Sequence, residues 1–207
     1  MPVRPASASA VLRGVASIVA ITASLVAIRA QAQPAVAEAA TVFTIADGAL
    51  ALEAPAGWQR VQPKSGIVET EFAIPSEGTA VDGTSLAPGR MTVMGAGGSV
   101  EANIERWCGQ FAQPDGSSTR DKAATKKLKV AGRDVTIVDI AGTYKDSPGG
   151  PFAGGKTIER PGYRMLAAIV EGPDGSSFLK FYGPAATVAK HADGFRTMVE
   201  GMVPAAK

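Results

Sequence analysis

The stretch YRMLAAIV, residues 163–170, constrains this chain more than any other, because residues 165–170 are apolar at every position. Side chains alternate between the two faces of a strand, so a strand with no polar position must be covered on both sides. With FLKFYG it reads as a hairpin joined through EGPDGSS, the Asp174-Gly175 pair taking the bend. Whatever surrounds this strand has to supply two apolar layers.

The remaining strand candidates follow the period-two rule. TVFTIA and ALALEAP flank a turn at Asp47-Gly48, and GIVETEFAI places Val68, Thr70, Phe72 and Ile74 on one face. RMTVM is a further strand, and KKLKV with RDVTIVDIAGTY forms a hairpin about Ala131-Gly132. Two segments have helical spacing. In SVEANIERWCGQF, residues 99–111, Ser99 is the N-cap and Val100, Ile104, Trp107, Cys108 and Phe111 form the apolar stripe. In the C-terminal segment, Val188, Ala192, Phe195, Val199 and Met202 recur at helical spacing, with Pro184 in the first turn. The expected fold is α+β: an antiparallel β-sheet covered by helices on both faces, an α/β/α sandwich, forming one domain over residues 42–203. No internal repeat or domain linker is evident.

The N-terminus has a different composition. Arg4, Arg13 and Arg29 are unaccompanied by any acid, and GVASIVAITASLVAI between them carries no charge. A basic start, an apolar run and an Ala30-Gln31-Ala32 exit have the form of a secretory signal peptide, expected over residues 1–32. A second exit at Ala35-Val36-Ala37 stays open, and residues 33–41 are expected to be a disordered lead-in. The run of 15 residues is shorter than the roughly 20 that a membrane-spanning helix requires. The expected location is therefore export, periplasmic or secreted, with no transmembrane anchor after cleavage. Without the three arginines, 18 basic residues face 19 acidic ones, so the charge balance does not call for nucleic acid as a partner.

Most chemistries lack their residues. One cysteine cannot form an internal disulfide, and one histidine with one cysteine falls short of the usual zinc sets, so no metal or cofactor is expected. There is no Gly-x-Ser-x-Gly elbow. GAGGS at residues 95–99 lacks the glycine or the Gly-Lys-Ser/Thr ending of a phosphate loop and reads as a turn leading into a helix. Cys108 sits in an apolar stripe and reads as a core thiol. Asp139, within VTIVDIAG, and His191, beside the stripe of its helix, are the acid/base candidates of an enzyme reading. Six basic residues from Arg120 to Arg133 read as a solvated strand edge, with an acidic partner as the alternative.

The segment YKDSPGGPFAGGKTIERPGYR, residues 144–164, reads as a long connection carrying aromatic and charged side chains. Long connections in compact domains are often functional, and aromatics beside cations suit a ligand or protein contact. The candidate binding residues are Tyr144, Lys145, Phe152, Lys156, Arg160, Tyr163 and Arg164; no residue is assigned a catalytic role. The function expected is a non-enzymatic binding or accessory protein that contacts a protein or small ligand through this segment. The alternative is an envelope enzyme using Asp139 or His191. The partner's identity and the oligomeric state stay open.

With APAGWQR, GIVETEFAI and the ending FLKFYGPAATVAKHADGFRTMVEGM, the chain resembles the PsbP-like exported bacterial proteins over residues 42–203. The resemblance implies an α/β/α sandwich and a non-catalytic accessory or binding role. It carries over no catalytic motif, and the 144–164 segment has no counterpart in it.

Overall fold

The computed structural model describes residues 40–76, 78–79, 83–147 and 156–206; the expected signal peptide and residues 33–39 lie outside them. Thr41, expected within the N-terminal lead-in, already opens the first strand. The elements are β1 (Thr41–Ile45), β2 (Leu50–Ala54), β3 (Gln59–Val61), β4 (Thr70–Ile74), β5 (Gly89–Ala96), α1 (Val100–Cys108), β6 (Phe111–Ala112), α2 (Thr119–Lys122), β7 (Ala124–Val130), β8 (Arg133–Asp146), β9 (Ile158–Glu171), β10 (Ser176–Pro184), α3 (Ala185–Glu200) and β11 (Val203–Pro204). The class is α+β, mostly antiparallel sheet with a few helices. Eight strands form the main sheet in the order β3-β4-β5-β10-β9-β8-β6, with β7 also pairing β8, and β1-β2-β11 form a smaller one.

β9 lies inside the main sheet, and its apolar run is buried on both faces. Met165, Ala167 and Ile169 join Val138, Ile140, Phe178 and the α1 residues Ile104, Trp107 and Cys108 in one cluster. Leu166, Ala168 and Val170 join Val135, Leu179, Phe181 and the α3 residues Val188, Phe195 and Val199 in the other. The second layer is not helical alone: Phe43, Ile45, Leu50 and Leu52 of the small sheet belong to it. At roughly 1.5–3 kcal/mol for each large apolar side chain removed from water, these two layers hold the chain together without a disulfide.

Local chemistry sets the element ends. Ser99 Oγ accepts from the Ala102 N–H at 3.2 Å, the N-cap read from the sequence. α1 stops at Cys108, short of the expected residue 111, and Phe111 instead opens β6 opposite Tyr144. α3 follows β10 directly, with Pro184 as its N-cap rather than in its first turn. At the start of β5, a Cβ on Gly89 would stand 2.8 Å from Phe181 Cε2, so only glycine lets β5, β10 and the start of α3 approach this closely.

The two ends of the segment expected to be a loop from 144 to 164 are sheet, and residues 148–155 between them lie outside the described residues. β8 and β9 are each 14 residues long, and their pairing runs out to Asp146↔Ile158. Pro161 and Gly162 fall within β9, where a strand can tolerate irregularity, whereas the glycines and prolines before Arg160 that suggest a loop lie outside the described residues. The register shifts between Gly142 and Tyr144. Gly142 has φ +150°, and a Cβ there would meet Ala112 O at 2.6 Å. Tyr144 keeps the two-residue alternation of Val138 and Ile140 and so lies with them on the α1 side of the sheet.

Candidate functional site: a tyrosine face beside clustered cations

All three tyrosines of the chain come from different strands and meet on one face. Tyr144 on β8 and Tyr163 on β9 lie with ring planes 9° apart and centroids 6.1 Å apart. Tyr182 on β10 is 5.2 Å from Tyr144, and Phe111 on β6 is 5.2 Å from Tyr144 on its other side. The rings pack with the cluster that holds Trp107, at the end of the sheet beyond α1. Each tyrosine is half-buried. Burial pushes the hydroxyls of Tyr144 and Tyr182 above the usual tyrosine range, so both remain neutral donors or acceptors.

Cations border the rings. Arg90 on β5 donates from Nη1 to Tyr182 Oη at 2.6 Å, and its Nε and Nη2 donate to the two oxygens of Glu71 at 2.7 and 2.8 Å. Glu71 is buried, and the Arg90 hydrogen bonds hold its carboxyl below the usual range. Lys180, two residues before Tyr182 on β10, donates to Gln110 Oε1 at 3.0 Å. Its ammonium lies 5.7 Å from the Trp107 ring centre and 5.9 Å from that of Tyr182. Burial, then the charges of Arg106 and Arg90, pull the Lys180 amine down to about 8. The patch can stack a flat group and hold a negative one.

The structure brings together some of the expected binding residues and separates others. Tyr144 and Tyr163 are central. Arg160, opposite Tyr144, donates from Nε and Nη2 to Asp146 Oδ2 at 3.2 and 3.1 Å. Lys145 is exposed, and its backbone N–H donates to Gln110 O at 2.8 Å. Lys156 is exposed next to β9, and Phe152 lies outside the described residues. Arg164 does not belong with the tyrosines. Strand alternation turns it to the α3 side, where Nε and Nη2 donate to Asp139 at 2.8 and 2.6 Å.

The acid/base candidates are engaged elsewhere and apart. Asp139 has both oxygens on Arg164, with Arg196 of α3 at 3.8 Å. His191 accepts from Trp58 Nε1 at Nδ1, 3.3 Å, and its Nε2 faces Pro75 O at 3.1 Å, the arrangement of a neutral imidazole protonated at Nε2. Cys108 is buried, and burial raises its thiol above the usual range. Two surface hollows of about 550 and 560 Å³ are framed by residues 60–70 and by the turns around Asp47 and Asp174; neither is lined by Asp139 or His191. The basic run is largely neutralised: Arg120 pairs with Glu101, Lys122 with Asp115, Lys126 with Glu200 and Lys129 with Asp134.

Sequence reasoning missed Glu71, Arg90, Gln110, Lys180 and Tyr182. In FLKFYG the alternation already sets Lys180 and Tyr182 on the face opposite Leu179 and Phe181. Their meeting with Arg90 and Trp107 depends on strand order and register, which no local pattern states.

Among the described residues no group of His, Cys, Asp and Glu side chains is arranged to hold a metal ion, and no helix is long and apolar enough to cross a membrane. The fold and the face define an antiparallel α+β domain with an aromatic, cation-flanked surface. Its fold is similar to that of CyanoP, the cyanobacterial PsbP of Synechocystis sp. PCC 6803, at 9% identity and a TM-score of 0.48 over 84% of this chain and 97% of that one. It is also similar to PA94 from Pseudomonas aeruginosa, a protein of unknown function, at 12% identity and a TM-score of 0.44 over 82% and 99% of the two chains. The PsbP resemblance read from the sequence names the same group as the first of these structures. No family model and no curated protein matches the chain.

Proposed function

We propose that this is an exported, non-enzymatic binding or accessory protein, an α/β/α sandwich that contacts a protein or small ligand through the tyrosine face and the adjoining β8–β9 hairpin. The observation that carries the reading is the convergence of Tyr144, Tyr163 and Tyr182 from three strands beside Arg90 and Lys180. Half-buried aromatic rings with cations at their rim offer contact area at low conformational cost. The contacts of Asp139 with Arg164 and of His191 with Trp58 and Pro75 weigh against the envelope-enzyme alternative, since each is occupied in holding elements together. The basic N-terminal segment with its apolar run supports export.

The test is resonance mapping on isotope-labelled protein. Envelope extract from the source cell is divided by ultrafiltration into small-molecule and macromolecular fractions, and each is titrated in. Saturable shifts centred on Tyr144, Tyr163, Tyr182 and Arg160 are the expected result. Shifts centred on His191 or Asp139, or none from either fraction, would overturn the reading.

A further inference from the structure

We propose that the tyrosine face takes a small organic anion bearing a flat ring, its negative group held by Lys180 and Arg106 with Arg90 alongside, and its ring laid against the tyrosines. This rests on the binding reading above and specifies its ligand.

The argument is one of unbalanced charge. Of the three cations, only Arg90 has an acidic partner among the described residues, Glu71. Lys180 donates to the neutral amide of Gln110, and Arg106 donates to the neutral amide of Asn103. Burial first, and then the charges of Arg106 and Arg90, lower the Lys180 amine, so both guanidiniums lie within electrostatic reach of it. Like charges brought together beside apolar rings raise the free energy of the empty face, and an anion relieves that repulsion. Lys180 has two ammonium hydrogens beyond the one on Gln110, and Arg106 has four N–H groups beyond the one on Asn103, so donors are in place for a carboxylate or phosphate.

The rings specify the rest of the ligand. Tyr144 and Tyr163 present nearly parallel planes, and Tyr182 joins them to the cation group through Arg90 and Lys180. A bare inorganic anion would use the cations and leave the tyrosines idle. An apolar ring without charge would leave the repulsion in place. A ring joined to an anionic group uses both.

The groups facing the Lys180 amine are Arg106, Trp107 and Gln110 from the α1 side, Arg90 from β5, and Tyr182 on its own strand; Glu71, on β4, is bound to Arg90. The anion needs the protonated amine, so affinity should fall as pH rises through about 8.

The probes are benzoate and phenyl phosphate, which separate a carboxylate from a phosphate source, with acetate, benzyl alcohol and benzylamine as controls. The readouts are the Trp107 indole N–H and the Lys180 Cε resonances. One or both ring anions should shift these signals saturably, at least tenfold more tightly than any control. Lys180→Met should weaken binding at least tenfold, and Arg106→Gln, a change at an exposed position, several-fold. Equal binding of benzylamine or benzyl alcohol, or undiminished binding by both variants, would overturn the inference. If cell extract shifts the tyrosine signals but neither ring anion does, the ligand class is wrong and the binding face stands. If neither acts, both readings fall.

Discussion

Glu71 and Arg90 face each other across β4 and β5 in a two-pronged ion pair, at 2.7 and 2.8 Å, with the carboxylate buried and the guanidinium partly open to solvent. The pair sits one strand from Tyr182, so it anchors the arginine that fixes the Tyr182 hydroxyl. Two-pronged geometry of this kind orients as well as attracts. Glu71→Gln should lower unfolding stability by about 1–3 kcal/mol, the lower part of that range being favoured by the solvent around Arg90. The folded carboxyl titrates below its ordinary value of 4.5, so its contribution is present above that pH and is lost as pH falls beneath it. Urea unfolding between pH 6 and pH 3 should show a steeper loss in the wild type than in the variant; equal slopes would refute the coupling.

Lys180 gives a slope of the same sign, but by relief of a penalty instead of by gain of a bond. Burial brings its amine from an ordinary 10.5 down to about 8, so between those values the unfolded chain keeps a proton that the folded chain has released. Stability from this group therefore rises with pH across that window. Lys180→Met should be more stable than the wild type at pH 7, on the order of 1–2 kcal/mol, and the margin should close towards pH 10. Tyr144 and Tyr182, raised by burial, act alike in both proteins, so the difference isolates the lysine. A margin that stays constant with pH would exclude a desolvated ammonium at this position.

Much of this architecture was legible because it depends on alternation. The apolar run at 165–170 could only be a doubly covered strand, and the Ser99 cap and the 99–108 stripe fixed α1 locally. The 144–164 segment went the other way. Gly and Pro signal a loop, yet at the flanks of the segment cross-strand pairing over Tyr144↔Arg160 and Asp146↔Ile158 overrides local preference, residues 148–155 lying outside the described ones. The same non-locality hid the site. Tyr163 and Arg164 are adjacent in sequence and were grouped together, but on a strand neighbours point oppositely, one to the tyrosines and one to Asp139. Asp139 drew attention as an acid among apolar residues; its partner Arg164 is 25 positions away and visible only once β8 and β9 are paired.

Gly89 gives a test of how tightly β10 and α3 are locked together. An added Cβ would stand 2.8 Å from Phe181 and 3.3 Å from both Ile74 and Thr187, all inside a packed layer. None of these is a flexible surface side chain that can swing aside. Gly89→Ala should destabilise by about 1–3 kcal/mol through overpacking. Thermal melts of this variant beside Gly116→Ala would calibrate the result, since Gly116 has open space around its added Cβ and costs only its left-handed φ of +72°. If Gly89→Ala is neutral, the strand and helix do not approach as described.

Cys108 closes the case for a core thiol. Its side chain packs with Ile104, Trp107 and Val138, and burial, the largest influence on it, raises the thiol above its ordinary range. Thiolate is the reactive species, so both access and ionisation oppose modification. A bulky aromatic disulfide reagent should label the native protein about a hundredfold more slowly than the urea-unfolded chain, with a native rate that follows unfolding rather than reagent concentration. Cys108→Ala should cost about 1 kcal/mol and Cys108→Ser more, because the hydroxyl enters an apolar cluster without an assured partner. Rapid native labelling would mean that α1 lifts from the sheet on the timescale of the reaction, and with it the Trp107 wall of the tyrosine face.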